Sequence, residues 1–235
     1  MSLWRALLDR LEPLRLDLRK RFWPESPTSH VDFSIALIAL AAKLAKADGL
    51  VSRSEVTAFR RIMDIPPSEE GRVGRIYDLC RGATEGYEAY ASRVYRLIRG
   101  HPDEAIIREN LLDGLFQIAM ADGEYHPGED LFLRTVSERL GLEEAGFLQL
   151  RARHVPDAWD PHQVLGTNPD DPPETVRAAW RDLVKRNHPD RIAGAGLPPE
   201  MRRIAEDRLR EINRAFGEIR ASHEKREESG HTPCI

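Results

Sequence analysis

The sequence predicts an all-α protein, in which a helical bundle with an internal repeat is followed by an antiparallel helical hairpin. Near the C-terminus, apolar residues recur at the spacing of one helix face over residues 173–187 and again over 201–219. Further upstream, Ala47-Asp48-Gly49 recurs as Ala121-Asp122-Gly123, each time after an apolar run. No stretch of the chain shows the sustained alternation that marks a β-strand. Helices alone therefore account for the pattern.

The internal repeat extends to both sides of the Asp-Gly pair. Each copy consists of an apolar helix, a tight turn and a second amphipathic helix, and residues 69–99 between the copies supply further helices. The matching apolar positions are Leu37 and Leu111, Leu44 and Ile118, and Phe59 and Leu133. We therefore predict that residues 30–154 form a bundle built from two similar helical hairpins.

The Asp-Gly pair of each copy has two possible roles. In the second copy, Asp122, Gly123 and Glu129 have the spacing of the fifth, sixth and twelfth positions of a calcium-binding EF-hand loop. The first and third positions would be Ile118 and Met120, which cannot ligate calcium. Helix termini explain the same residues, because glycine can end a helix in the left-handed conformation and glutamate complements the start of the next helix. We favour this structural role for both copies and expect no bound metal or cofactor.

The tripeptide His188-Pro189-Asp190 lies between the two helices of the predicted C-terminal hairpin. Proline cannot continue a helix, and it disfavours helical geometry in the residue before it. The first helix of the hairpin should therefore end by Asn187 or His188. An imidazole and a carboxylate are thereby placed at the tip between two antiparallel helices.

A row of basic residues adjoins this tip. Arg177, Arg181 and Lys185 recur every fourth residue and so share one helix face, while Arg186 and Arg191 flank the tripeptide. Such an arrangement suits docking onto an acidic partner better than it suits catalysis. Nucleic acid is a rival partner, but residues 160–221 have 11 Lys/Arg against 11 Asp/Glu, whereas nucleic-acid domains are usually strongly basic. We expect no nucleic-acid binding.

The C-terminal part of the chain, over about residues 160–221, resembles the J domain of DnaJ-like co-chaperones. Asp160-Pro161-His162-Gln163-Val164-Leu165-Gly166 resembles the short first helix of that family, Pro173 to Asn187 the second helix, and Glu211-Ile212-Asn213-Arg214-Ala215-Phe216 the third. The resemblance implies a domain that binds an ATP-bound DnaK-type chaperone and triggers its ATP hydrolysis.

The same resemblance assigns roles to the residues at the tip. His188, Pro189 and Asp190 would form the trigger, and the basic helix face would steer docking. The departures from the family are small, since Trp180 and Asn187 stand where tyrosines are usual. Because Trp180 can fill an aromatic core position, we expect the fold to be retained.

The chain contains a second copy of the tripeptide, His101-Pro102-Asp103. This copy lacks the flanking first helix of the J-domain pattern. Gly100 followed by Pro102 is typical of an ordinary helix exit, with Asp103 starting the next helix. We interpret residues 101–103 as a structural turn.

The repeat in turn resembles the TerB-like domain, a helical bundle of tellurite-resistance proteins. The segment from His30 to Gly49 is similar to the corresponding domain of the DjlA-like subfamily, whose members pair a TerB-like bundle with a C-terminal J domain. This resemblance implies a J-domain co-chaperone that targets a DnaK-type chaperone through its TerB-like domain. The alternative is a stress-related metal- or ligand-sensing protein built on the bundle.

Composition and charge narrow the classes of function that remain. The chain has 235 residues, 41% of them hydrophobic, and a net charge of −4, so no overall field favours nucleic acid or anionic lipid. Two cysteines, Cys80 and Cys234, make no disulfide framework and suit a reducing cytosol. No Gly-rich phosphate loop and no convincing nucleophile–base set occurs. We expect a cytoplasmic protein that is not an enzyme.

Two terminal segments complete the organisation. Residues 1–29 are predicted to be an amphipathic segment and linker, in which residues 1–23 have six Lys/Arg against three Asp/Glu and an apolar face. That face could lie peripherally on the cytoplasmic side of the inner membrane, although such a stripe more often packs on the protein's own core or a partner subunit. We expect no transmembrane span. Residues 222–235 are a polar tail, which we expect to be frayed or disordered.

Overall fold

The computed structural model describes residues 30–44, 53–63, 65, 67, 70–82, 86–188, 190–191 and 201–230. The helices in chain order are α1 (His30–Leu44), α2 (Arg53–Met63), α3 (Glu70–Gly82), α4 (Tyr87–Ile98), α5 (Glu104–Ala119), α6 (Pro127–Arg139), α7 (Glu144–His154), α8 (Pro161–Leu165), α9 (Pro173–Arg186) and α10 (Met201–Gly230). No strand occurs among these residues, and the all-α prediction is confirmed. None of the helices described is both long enough and apolar enough to span a membrane.

Helices α1–α7 form an N-terminal bundle around one large apolar core. Residues 37–44 of α1 are all buried, and α1 contacts α3, α4 and α5. Its counterpart in the second repeat, α5, is buried from Leu111 to Phe116. A helix that is apolar on every side is expected to lie inside a bundle rather than on its surface. The repeat thus supplies the two central helices of the core.

Helices α8–α10 form a C-terminal hairpin with a second, smaller core. The buried residues of this core are Ala152, Val164, Leu165, Val176, Leu183, Ile212, Ala215 and Ile219. Trp180 of α9 stacks on Phe216 of α10 with ring centroids 4.5 Å apart, and its indole nitrogen donates to Asn213 Oδ1 at 2.9 Å. The tryptophan is partly buried and packs against this core together with Phe216.

The long helix α10 contributes to both cores. Ile204 and Ala205 are buried in the core of the N-terminal bundle, whereas Ile212 and Ala215, two to three turns later, are buried in the core of the hairpin. At the bundle end α10 packs on Gly114 of α5, where a Cβ would lie in ordinary van der Waals contact, 3.6 Å from Ile204 Cδ1. One helix thus joins the bundle to the hairpin.

Helix α10 also continues beyond the end expected for it. From its composition the chain from Ser222 onward is predicted to be a frayed or disordered tail; this prediction is wrong for residues 222–230, because α10 ends at Gly230. Ser222 Oγ donates to the Glu218 carbonyl at 2.9 Å, and Arg220 pairs with Glu224 one turn later at 3.4 Å. The tail is rich in helix-forming residues, so its polarity does not prevent helix formation.

Side-chain contacts hold the hairpin against the end of the bundle. Gln149 of α7 donates from Nε2 to the Val164 carbonyl of α8 at 2.9 Å. In the short connection between α7 and α8, the Trp159 indole donates to Glu218 at 2.9 Å, and the Arg214 guanidinium lies 4.0 Å from the centre of the Trp159 ring. The connection is therefore packed onto α10.

Candidate functional site

The His-Pro-Asp turn follows α9 at the tip of the hairpin. Helix α9 ends at Arg186, where the proline predicted it to end, and the Asn187 backbone N–H donates to the Leu183 carbonyl at 3.0 Å. His188 Nδ1 accepts from the Asp190 N–H at 3.3 Å and lies 3.5 Å from the Asp190 carboxylate. The His188 side chain is 54% exposed and that of Asp190 is 92% exposed. Pro189 lies outside the described residues.

This geometry favours recognition over catalysis. The imidazole and the carboxylate contact each other but face solvent, where a partner can reach both groups. A catalytic pair would normally require a low-dielectric pocket that shifts and orients its proton-transfer groups. The exposed turn instead presents its hydrogen-bonding groups to solvent.

The predicted basic face is accessible along its length. Arg177, Arg181 and Lys185 are all exposed, and within the part of the chain that the structure describes none of them forms an ion pair. Arg186 pairs with Asp182 at 2.9 Å, and Arg191 is exposed beyond the turn. The three unpaired cations therefore present positive charge next to His188.

The second tripeptide adopts the same local geometry in a different setting. Asp103 N–H donates to His101 Nδ1 at 3.0 Å, as the corresponding groups do at the tip of the hairpin. However, Gly100 adopts a left-handed conformation with a φ of 82°, and its N–H donates to the Glu104 carboxylate at 2.9 Å. These contacts close the connection between α4 and α5, which agrees with a structural turn.

The Asp-Gly pair of the second repeat lies at helix termini. Gly123 has a φ of 90° at the end of a short 3₁₀ turn, and Asp122 Oδ1 accepts from the Glu124 N–H at 3.0 Å. Glu129 accepts from the His126 N–H at 2.9 Å at the start of α6. The predicted structural roles are thus confirmed in this copy. Among the described residues, no group of three His, Cys, Asp or Glu side chains is placed to hold a metal ion. Asp48 and Gly49 lie outside those residues.

A buried contact that was not predicted from the sequence lies behind the tip. Asn187, which immediately precedes His188, is buried, and its Oδ1 accepts from Arg208 Nη1 at 2.5 Å. Arg208 in turn donates from Nε to Asp113 Oδ2 in α5, also at 2.5 Å. A signal was present in the sequence, because Asp113 interrupts an apolar helix and Arg208 lies on the apolar face of α10 between Ile204 and Ile212.

Asp113 is the centre of a buried charge cluster, which also contains Arg208, Arg153 and His154. His154 Nε2 lies 2.6 Å from Asp113 Oδ1, and Arg153 Nη2 lies 3.4 Å from the same atom. Burial raises the pKa of Asp113, but the Arg208 and Arg153 guanidiniums and the His154 hydrogen bond lower it more, so the pKa lies well below its usual range. Asp113 is therefore ionised and balances cations that have little access to water.

Comparison with known proteins places the bundle in a family. The family model described as tellurite resistance protein TerB matches residues 34–152. The chain belongs to the TerB family. Asp113 lies inside the matched residues, so the buried charge cluster joins the TerB domain to α10.

Curated relatives extend the likeness beyond the TerB domain. The co-chaperone protein DjlA of Escherichia coli strain K12 is 32% identical over 124 residues, which cover 43% of this chain and 46% of that protein. The DjlA of Aliivibrio fischeri is 28% identical over 225 residues, covering 80% of this chain and 78% of that protein. The DjlA of Vibrio parahaemolyticus is 24% identical over 227 residues, which cover 84% of this chain and 80% of that protein. The predicted DjlA-like character is confirmed.

The chain spans about half the length of the Escherichia coli relative that it matches, with 46% of that protein covered. No solved structure gives a significant match to the chain.

Proposed function

We propose that this protein is a J-domain co-chaperone, whose residues 160–221 dock on a DnaK-type chaperone and stimulate its ATP hydrolysis. The observation that supports this proposal best is the exposed pair of His188 and Asp190 at the tip of the hairpin, next to an unpaired basic face. The DjlA relatives are named co-chaperones, which supports the same class.

In this proposal the protein performs no chemistry of its own. The basic face attracts an acidic surface of the chaperone, because complementary charges mainly accelerate the encounter of two proteins. His188 and Asp190 then contact the chaperone at the end of α9 and stabilise its hydrolysis-competent conformation. The nucleotide and the catalytic groups belong to the partner.

The TerB domain supplies the targeting function of the proposed co-chaperone. It forms the larger apolar core of the chain and is joined to the hairpin through α10. Its ligand or partner protein would thereby determine where the chaperone is engaged. We place this activity in the cytoplasm, which suits the free, buried thiol of Cys80. Residues 1–23, for which peripheral membrane contact is an alternative, lie outside the described residues.

The decisive experiment is single-turnover ATP hydrolysis by the cognate DnaK-type chaperone, with and without this protein. We expect the wild-type protein to accelerate hydrolysis and the His188→Gln variant to give no acceleration. The substituted side chain is largely exposed, and among the described residues its hydrogen-bond and ion-pair contacts are with Asp190 of the same turn, so the fold and the melting temperature should be unchanged.

His101→Gln is the matched control, because His101 makes the same backbone contact in the other tripeptide. This variant should stimulate hydrolysis as the wild type does. If both variants lose stimulation equally, or if neither loses it, the assignment of the trigger to His188 is wrong. Failure of the wild-type protein to stimulate any cognate chaperone would instead favour a sensing role for the TerB domain.

A further inference from the structure

We propose that the TerB domain positions the His-Pro-Asp turn through a relay of buried side chains, in which Asp113 orients Arg208 and Arg208 holds Asn187. The relay makes Arg208 and Asn187 positioning residues for the trigger, although neither would touch the chaperone. This inference rests on the proposed co-chaperone function and adds a role for the TerB domain within it.

The contacts of the relay are continuous and buried. Asp113 accepts from Arg208 Nε at 2.5 Å, and Arg208 Nη1 donates to Asn187 Oδ1 at 2.5 Å. The Asp113 side chain is 1% exposed and that of Arg208 is 2% exposed. A guanidinium can donate in two directions at once because its N–H groups form a rigid fork. Arg208 uses this fork to connect α5 of the TerB domain with the end of α9.

Asn187 transmits the contact to the backbone of the turn. Its amide Nδ2 donates to the Leu183 carbonyl at 2.8 Å, which is the same carbonyl that accepts from its backbone N–H. Both ends of the side chain are therefore fixed, one to the last turn of α9 and the other to Arg208. The next residue is His188, so the course of the chain entering the turn depends on this side chain.

Burial makes the relay resistant to rearrangement. If the hairpin swung away from the TerB domain, Arg208 would lose Asp113 while Ile204, on the same helix, would lose its place in the bundle core. An unpaired charge at a buried site is strongly unfavourable. The relay thus restricts the turn to one orientation relative to the TerB domain.

Two pairs of variants test the relay in the full chain. Asn187→Leu removes both side-chain contacts, whereas Asn187→Asp keeps an acceptor for Arg208 but loses the donor to the Leu183 carbonyl. Arg208→Lys keeps a positive charge for Asp113 but cannot reach two acceptors at once. Asn213→Leu is the matched control, because Asn213 accepts the Trp180 indole hydrogen bond between the same two helices away from the tip.

The first measurement is amide hydrogen exchange of residues 187, 188, 190 and 191, which carry a backbone N–H on either side of Pro189, and it does not depend on any chaperone. We expect faster exchange there in Asn187→Leu and Arg208→Lys, a smaller increase in Asn187→Asp, which keeps only the contact with Arg208, and wild-type exchange in Asn213→Leu. The second is the chaperone's ATP hydrolysis rate as a function of co-chaperone concentration. Because the basic face on α9 stays intact, the half-maximal concentration should change little. The maximal stimulation should fall on the order of tenfold, as expected when an acting group is misplaced.

The outcomes separate this inference from the proposed function. If Asn187→Leu and Arg208→Lys behave like Asn213→Leu in both measurements, the relay does not exist. If exchange accelerates while maximal stimulation is unchanged, the trigger does not depend on the relay and the proposal is wrong. If wild-type protein gives no stimulation, the co-chaperone function fails, and hydrogen exchange alone then decides whether the TerB domain holds the turn.

Discussion

Replacing Asp113 with asparagine should strongly destabilise the protein, although the two side chains have nearly the same shape. The carboxylate is 1% exposed and lies against Arg208, Arg153 and His154. Its removal leaves Arg208 with Glu109 at 3.4 Å as its remaining ion-pair partner among the described residues. Removal of one partner from a buried ion pair typically costs about 3–5 kcal/mol. For a folded chain of this size, that loss corresponds to a fall in melting temperature of roughly 6–20 °C.

Thermal and urea unfolding of the Asp113→Asn variant would measure this cost, with Asp130→Asn as the control. Asp130 also has two arginine partners, Arg151 at 3.0 Å and Arg134 at 3.7 Å, but its side chain is 29% exposed. Ion pairs that water can reach contribute about 0–1 kcal/mol, so the control should lose little stability. The comparison therefore isolates the effect of burial on the same chemical change.

The pH dependence of the free energy of unfolding provides an independent check that the charge of Asp113 stabilises the fold. Because the pKa of Asp113 is lowered in the folded protein, its charge stabilises the fold above the usual carboxyl pKa of about 4, and this contribution is lost as pH falls below that value. The stability difference between wild type and Asp113→Asn should be complete near neutral pH and should shrink in acid. A variant that loses no more stability than Asp130→Asn, or a difference that does not change in acid, would refute the argument.

Three further predictions concern other parts of the molecule. Arg181→Glu should slow association with the chaperone and flatten its dependence on ionic strength in stopped-flow measurements, and an unchanged salt dependence would show that docking uses another surface. The double variant with Asp48→Asn and Asp122→Asn should melt like the wild type in calcium, zinc or chelator, whereas a metal-dependent rise in wild type that the double variant lacks would establish a metal site. Burial raises the pKa of Cys80 to about 11, so at pH 8 this thiol is protonated and unreactive in the folded protein. In a Cys234→Ser variant, where Cys80 is the one remaining thiol, a thiol reagent should therefore modify the protein only after unfolding. Immediate modification would show that Cys80 is accessible.

Local patterns in the sequence predicted the helices and much of the core. Leu37 and Leu111, paired across the repeat, are both fully buried, because each lies in a mainly apolar run whose burial in the bundle is favoured. The end of α9 was predicted to within a residue, since the steric effect of Pro189 on the preceding residues acts whatever the rest of the chain does. Such predictions succeed because their causes lie within one helical turn.

The buried relay could not be predicted in the same way. Asp113 and Arg208 are 95 residues apart, and no local pattern states which of many arginines a buried aspartate will meet. Each residue alone was recognisable as a charge on an apolar helix face, and such a charge requires a partner. The identity of that partner follows from the packing of α10 against α5, which is a property of the whole fold.

The position of α10 changes what a targeting domain can do in this protein. Two domains joined by a linker usually meet at a small, polar interface and move relative to each other. Here the helix that completes the core of the hairpin begins inside the core of the TerB domain, with Ile204 and Ala205 buried there. Separation of the two units would expose those side chains and leave Arg208 without Asp113. A TerB domain that anchored the protein to a target would therefore fix the direction in which the His-Pro-Asp turn points, and with it the side from which a chaperone could approach.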